Sequence, residues 1–127
     1  VAMFLGILDA PTGVLHYRMA AHYPPALMLS QAGEVTALQQ SAKPLGLFPN
    51  AVYTSDQVDF PTGSTLLVFS DGVMDCLAPT DFDAKEAALR ALAGTFDEPV
   101  RLWGRLCESL KKLDDVSLLA VKHERRA

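Results

Sequence analysis

Ser64-Thr65-Leu66-Leu67-Val68-Phe69-Ser70-Asp71-Gly72-Val73-Met74-Asp75 is the stretch that decides how the rest of the chain is read. Residues 64–69 are β-branched, aromatic or aliphatic apart from Ser64, and Pro61-Thr62-Gly63 turns the chain just before them. An unbroken apolar run of this length predicts a strand packed on both faces. Asp71 then stands at the end of a rigid support, and Gly72 is expected to let the backbone turn sharply behind it. A carboxylate held in this way suits a hard cation such as Mg²⁺ or Mn²⁺. A lone Asp-Gly after a strand is more often a simple turn. A second acidic group must converge on the first before the arrangement means chemistry.

Leu113-Asp114-Asp115-Val116-Ser117-Leu118-Leu119-Ala120-Val121 supplies that group, as an acidic pair leading into an apolar strand. If the two strands lie side by side, their acidic tips meet. Carboxylates at that range repel, so such a pair calls for a cation or a shifted pKa.

The 127 residues make one domain or part of one, half of them hydrophobic and a fifth charged, which supports a packed core and argues against disorder. A net charge of −4 gives no electrostatic footprint for nucleic acid or an anionic membrane. Lys111-Lys112 and Arg125-Arg126 are too small to reverse it. Cys76 and Cys107 lack metal-ligand spacing and read as reduced thiols of a cytoplasmic protein. Val1 to Leu8 is too short to span a bilayer and lacks the basic flank of a signal peptide. The chain opens without Met inside a strand-like run, as a piece of a longer polypeptide would.

In order along the chain, residues 1–9 and 14–20 predict a hairpin turned by Pro11-Thr12-Gly13. Tyr23-Pro24-Pro25 breaks the pattern. Short strands follow at 26–29 and 35–38, then an apolar loop at 40–50 and strands at 52–60 and 64–70. After Asp75 the period becomes helical. Thr80-Asp81-Phe82-Asp83 offers caps, with Glu86 closing a capping box on Asp83. Ala84, Ala87, Ala88, Ala91 and Leu92 form a stripe that ends at Gly94. A second helix is expected with Asp97 as its cap and Pro99 in its first turn. Its apolar stripe is Val100, Trp103, Leu106, Cys107, Leu110 and Leu113. A last strand is expected at 115–121. Antiparallel strands with helices gathered to one side make the class α+β.

Five fragments in register carry a resemblance. Phe4-Leu5-Gly6-Ile7-Leu8-Asp9, Ala20-Ala21-His22-Tyr23-Pro24-Pro25, Pro44-Leu45-Gly46-Leu47-Phe48, Phe69-Ser70-Asp71-Gly72-Val73 and Asp114-Asp115-Val116-Ser117-Leu118-Leu119 occur in that order. The chain thereby resembles the bacterial SpoIIE/RsbU-like phosphatases, which belong to the metal-dependent PPM (type 2C) protein serine/threonine phosphatases. The resemblance implies an antiparallel β-sandwich flanked by helices, with an α-β-β-α layering. It implies that Asp71 and Asp114 are catalytic residues that ligate metal. Gly72 and Asp115 then have supporting roles, Gly72 as the turn and Asp115 at the position where relatives often carry Asn. Asp75 falls where relatives carry an acid that starts a helix or accepts a hydrogen bond. Two Mg²⁺ or Mn²⁺ ions per complete site would activate water for in-line attack on phosphorus. His22 matches a histidine that looks structural at a strand exit, and Ala21 replaces the family's Gly. His16 and His123 read as surface residues.

The family's N-terminal Gly-Asp-aromatic-x-Asp hairpin, with its bridging aspartate, and its Gly-His-Gly helix do not occur before Val1. A complete domain of this kind needs about 200 residues. Residues 1–127 are therefore expected to be the C-terminal part of a phosphatase domain, incomplete at the N-terminus and inactive alone. The parent is expected to hydrolyse phosphoserine or phosphothreonine on a regulatory protein, such as an anti-sigma-factor antagonist, under an upstream sensory or receiver domain. The alternative is a non-catalytic adaptor of a response regulator that binds a sigma factor or another partner protein. Truncated sheet edges also suggest pairing with a second chain, as in a homodimer.

Overall fold

The computed structural model describes residues 2–38, 43–53, 55–77, 81–108 and 115–125. The first hairpin forms as its sequence dictates. β1 (Met3–Asp9) pairs antiparallel with β2 (Val14–Ala20), Leu5 facing Arg18 and Ile7 facing His16. Gly13 closes the turn at φ 67°, a conformation that disfavours a side chain. β3 (Leu27–Leu29) and β4 (Val35–Ala37) make a second hairpin. β5 (Asp56–Asp59) returns to β2, and β6 (Thr65–Phe69) pairs with β3 on one side and β7 (Leu118–Lys122) on the other. Two antiparallel sheets result, in the orders β1-β2-β5 and β4-β3-β6-β7.

β6 is the hub, because its two faces enter two different cores. Leu67 and Phe69 pack with Leu27, Val73, Leu89, Ala93, Leu102 and Leu106 in a cluster beneath the helices. Leu66 and the half-buried Val68 face the other sheet, meeting Leu15, Tyr17, Met19, Ala26, Leu38 and Phe60. The apolar run of residues 66–69, entered through the buried Thr65, is thus the signature of a strand with no solvent face. α1 (Phe82–Ala93) and α2 (Pro99–Glu108) cover the outer face of the second sheet. Among the described residues no helix covers the outer face of the first sheet, where Met3, Leu5 and Ile7 are exposed. The layering is helix, sheet, sheet. No described helix is long and apolar enough to cross a membrane.

Several elements differ from their sequence reading. The strand expected at 52–60 is confined to Asp56–Asp59, because β2 offers partners only from Val14 to Tyr17. Phe60 leaves the ladder to fill the sandwich core. Asp81, not Asp83, caps α1 by accepting from the Ala84 N–H at 3.2 Å, and Glu86 instead accepts from the Tyr23 hydroxyl at 3.1 Å. Ala84, Ala87 and Ala91 face solvent, and Leu89 and Ala93 make the buried face. Gly94 ends the helix as expected.

In α2 the buried pair is Leu102 and Leu106, one turn apart, while Val100 is 77% exposed and Trp103 38%. Apolar residues on opposite sides of one helix offer two stripes, and packing selects the one that reaches Leu67 and Phe69. Asp97 precedes the helix rather than capping it. It accepts from the Glu98 N–H at 2.9 Å and pairs with Arg101 at 2.7 Å. Leu110 and Leu113 lie outside the described residues.

Candidate metal-binding site

The antiparallel register of β6 and β7 fixes where the acidic stretches go. Phe69 faces Leu118, so the chain leaving β6 runs beside the chain leading into β7. Ser70 carries the pairing one step further. Its N–H donates to the Ser117 carbonyl at 2.9 Å. The return bond from the Ser117 N–H goes to the Ser70 Oγ at 2.7 Å. The hydroxyl replaces the main-chain acceptor that a regular ladder would use, and the freed Ser70 carbonyl accepts from the Val73 N–H at 3.2 Å. That bond opens the 3-10 helix Asp71–Cys76. Asp71, its first residue, is exposed at the sheet end, while Val73 and Met74 behind it are buried in the core under the helices.

Gly72 has a different task from the one expected. Its φ is not in the left-handed region. The requirement is space, since a Cβ there would overlap the Asp115 carbonyl oxygen and crowd the Val116 side chain. The backbone of the Asp71 turn therefore lies directly against that of Asp115. Asp71, Gly72 and the exposed Asp115 come together at one end of the sheet. Asp114, the other expected ligand, lies outside the described residues. Asp75 is exposed in the 3-10 helix.

A third segment reaches the same end. β3 is antiparallel to β6, with Leu27 facing Leu67, so the chain leading into β3 lies beside the β6 exit. His22 is on that lead-in, half-buried, with its ring edge toward Phe4 at 6.1 Å between centroids. Among the described residues its buried Nδ1 makes no regular hydrogen bond, and the Pro24 backbone lies close enough to act on the imidazole. Burial holds the imidazole below its ordinary pKa, and the nearby Pro24 backbone and the Asp71 carboxylate oppose that shift without reversing it. His22 is thus within electrostatic reach of Asp71, a relation its sequence context does not announce. His16 is exposed as expected. His123 is not a surface residue but half-buried, its Nδ1–H donating to the Phe60 carbonyl at 2.8 Å.

The donor set at this sheet end is carboxylate oxygen, which matches a hard dication and not a soft one. Among the described residues no three His, Cys, Asp or Glu gather closely enough to enclose an ion. The described chain fits as part of a coordination sphere, the remaining ligands having to come from elsewhere.

Comparison with known proteins follows the same line. The family profile described as Stage II sporulation protein E (SpoIIE) matches residues 1–124. Protein IcfG of Synechocystis is 26% identical over 127 aligned residues, covering 94% of this chain and 20% of the relative. The manganese-presoaked phosphatase domain of the cell-fate determinant SpoIIE from Bacillus subtilis superposes with a TM-score of 0.75 at 15% identity, over 100% of this chain and 58% of that one. The RsbU and RsbW domains of a Mycobacterium tuberculosis protein give 0.72 at 24% identity, over 97% of this chain and 36% of that one. The chain thus spans one fifth of the curated relative and little over half of the SpoIIE phosphatase domain. With its profile matched almost end to end and its two sheets laid out as in those domains, the chain belongs to the SpoIIE family and carries the fold of the SpoIIE/RsbU-like PPM phosphatases.

Proposed function

We propose that residues 1–127 form the C-terminal part of a PPM phosphatase domain, and that the parent protein hydrolyses phosphoserine or phosphothreonine on a regulatory protein. The observation that carries this reading is the close approach of Gly72 to Asp115, which joins the β6 exit to the β7 lead-in. Asp71 and Asp114 would hold Mg²⁺ or Mn²⁺ through carboxylate oxygens, and family membership makes phosphatase chemistry the first expectation for them. When bound, such an ion supplies Lewis acidity toward water and the phosphoryl group. The chain's own contribution is placement. Ser70 and Gly72 fix the backbone on either side of Asp71, β6 anchors it in two cores, and Asp115 stands beside it as support. No cysteine nucleophile is required.

The substrate class is a phosphorylated regulator, of which an anti-sigma-factor antagonist is one example, with an upstream sensory or receiver domain controlling access in the cytoplasm. The adaptor reading keeps the same fold without turnover. Mn²⁺-dependent dephosphorylation of a phosphoserine protein by the parent separates the two. Loss of turnover in Asp71→Asn and in Asp114→Asn is the expected result. Equal turnover in wild type and both variants contradicts a metal role for these residues, and a parent with no turnover at all favours the adaptor.

A further inference from the structure

Ser70 stands immediately before the 3-10 helix Asp71–Cys76, where a serine ordinarily caps the helix by accepting an N–H of the first turn on its hydroxyl. Its side chain makes no such bond. The Oγ is turned to the β7 lead-in instead, 47 residues away in sequence, and accepts from the Ser117 N–H at 2.7 Å. The Ser70 carbonyl meanwhile serves the Val73 N–H, so that one residue both closes the β6-β7 ladder and opens the helix. Those two tasks use two acceptors. A residue without a side-chain oxygen has only its carbonyl for both.

The tie is not needed to bury anything. Ser117 is exposed, and water would satisfy its N–H in the absence of the Oγ. What the bond sets is the distance between two segments: Asp71 follows Ser70 directly, and Asp115 stands two residues before Ser117. Gly72 leaves room for the Asp115 backbone to come close, yet room alone does not hold it there. We propose that Ser70 is a positioning residue of the metal site, its Oγ holding the β7 lead-in against the Asp71 turn so that carboxylates from both segments reach one cation. This rests on the phosphatase reading above and adds to it a residue that acts through its neighbours. A spacing fixed before the ion arrives spares it the cost of ordering the two segments, which raises affinity.

The test compares Ser70→Thr, Ser70→Val and Ser70→Ala in the full parent protein by two readouts, Mn²⁺ titration and hydrogen exchange of the Ser117 amide in the metal-free state. Threonine keeps the acceptor, valine keeps the shape of threonine without it, and alanine removes both. Losing the bond lowers the fraction of molecules with the two segments together. Ser70→Ala and Ser70→Val are therefore expected to bind Mn²⁺ about fivefold more weakly or worse, with Ser70→Thr within about twofold of wild type. The Ser117 amide should exchange faster in the same two variants, while amides inside the β6-β7 ladder keep wild-type rates. Wild-type Mn²⁺ affinity in both Ser70→Ala and Ser70→Val overturns the proposal, as does a Ser70→Thr as weak as Ser70→Val. Faster exchange along the whole ladder does so too, because it makes the effect one of general stability. Should Ser70→Val fail to fold, Ser70→Ala against Ser70→Thr decides alone. A wild type that binds no Mn²⁺, or an Asp71→Asn that binds it as well as wild type, removes the phosphatase reading and this role with it; a wild type that loses Mn²⁺ in Asp71→Asn but not in Ser70→Ala removes only the role of Ser70.

Discussion

The two ends of the β6-β7 ladder are built from similar parts and are finished in opposite ways. At one end His123 is tied in by three hydrogen bonds. Its N–H donates to the Ser64 carbonyl at 2.9 Å, its carbonyl accepts from Gly63 at 2.7 Å, its ring donates to Phe60 and stacks on the same residue. At the other end Asp71 is exposed, and the buried His22 Nδ1 makes no regular hydrogen bond among the described residues. Such hydrogen bonding marks an end that holds the sandwich closed. On the reading proposed above, the exposed Asp71 carboxylate at the end of the same frame is left for a ligand.

The shared frame should be the most sensitive point. Phe69→Ala empties a fully buried position between strand and helices, and is expected to cost about 3–5 kcal/mol by urea denaturation, harming both ends at once. A cost under about 1 kcal/mol would mean that β6 is not the common support. Gly72→Ala strikes the ligand end alone. The added methyl must push the Asp115 backbone away, so a loss of about 1–3 kcal/mol is expected, together with weakened Mn²⁺ binding. Unchanged metal affinity would show that the approach of the two segments does not matter to the site.

His123→Phe sharpens the contrast from the other side. It preserves the stacking on Phe60 and leaves one carbonyl without its donor, an expected loss of about 1 kcal/mol with turnover unaltered. A fall in turnover would erase the distinction between the two ends. The smallest effect belongs to the surface. Arg101→Ala removes a solvent-screened pair with Asp97, and the smallest loss of stability in the series is expected by urea denaturation. The Arg101 guanidinium, with the Glu98 N–H, holds the Asp97 carboxyl below its ordinary pKa. Any contribution is therefore complete above the usual carboxylate range and fades as pH falls through the lowered value. An acid-denaturation profile that does not move in the variant would assign the pair no stability.

What could be read from residues alone follows from how local each feature is. β6 was legible because Thr65 and the four apolar residues after it leave no solvent face, and Asp71 was singled out because a known motif marks it. The task of Ser70 was not, since a hydroxyl standing in for a carbonyl is visible only with Ser117 alongside. Gly72 was singled out for the wrong reason: a turn was expected, and the need is clearance from Asp115. The α2 stripe held at Leu106 and failed at Val100 and Trp103, because Leu102 competes with them for the buried face and only tertiary packing chooses. The pairing of Asp71 with Asp114 itself extends beyond the described residues and stays a proposal.

Mn²⁺ titration of the parent protein, with Asp71→Asn, Asp114→Asn and the double variant side by side, addresses that pairing most directly. If the two carboxylates hold one ion, each single change should weaken binding nearly as much as both together, because either loss opens the same coordination sphere. Losses that simply add, or wild-type affinity in either single variant, would contradict it.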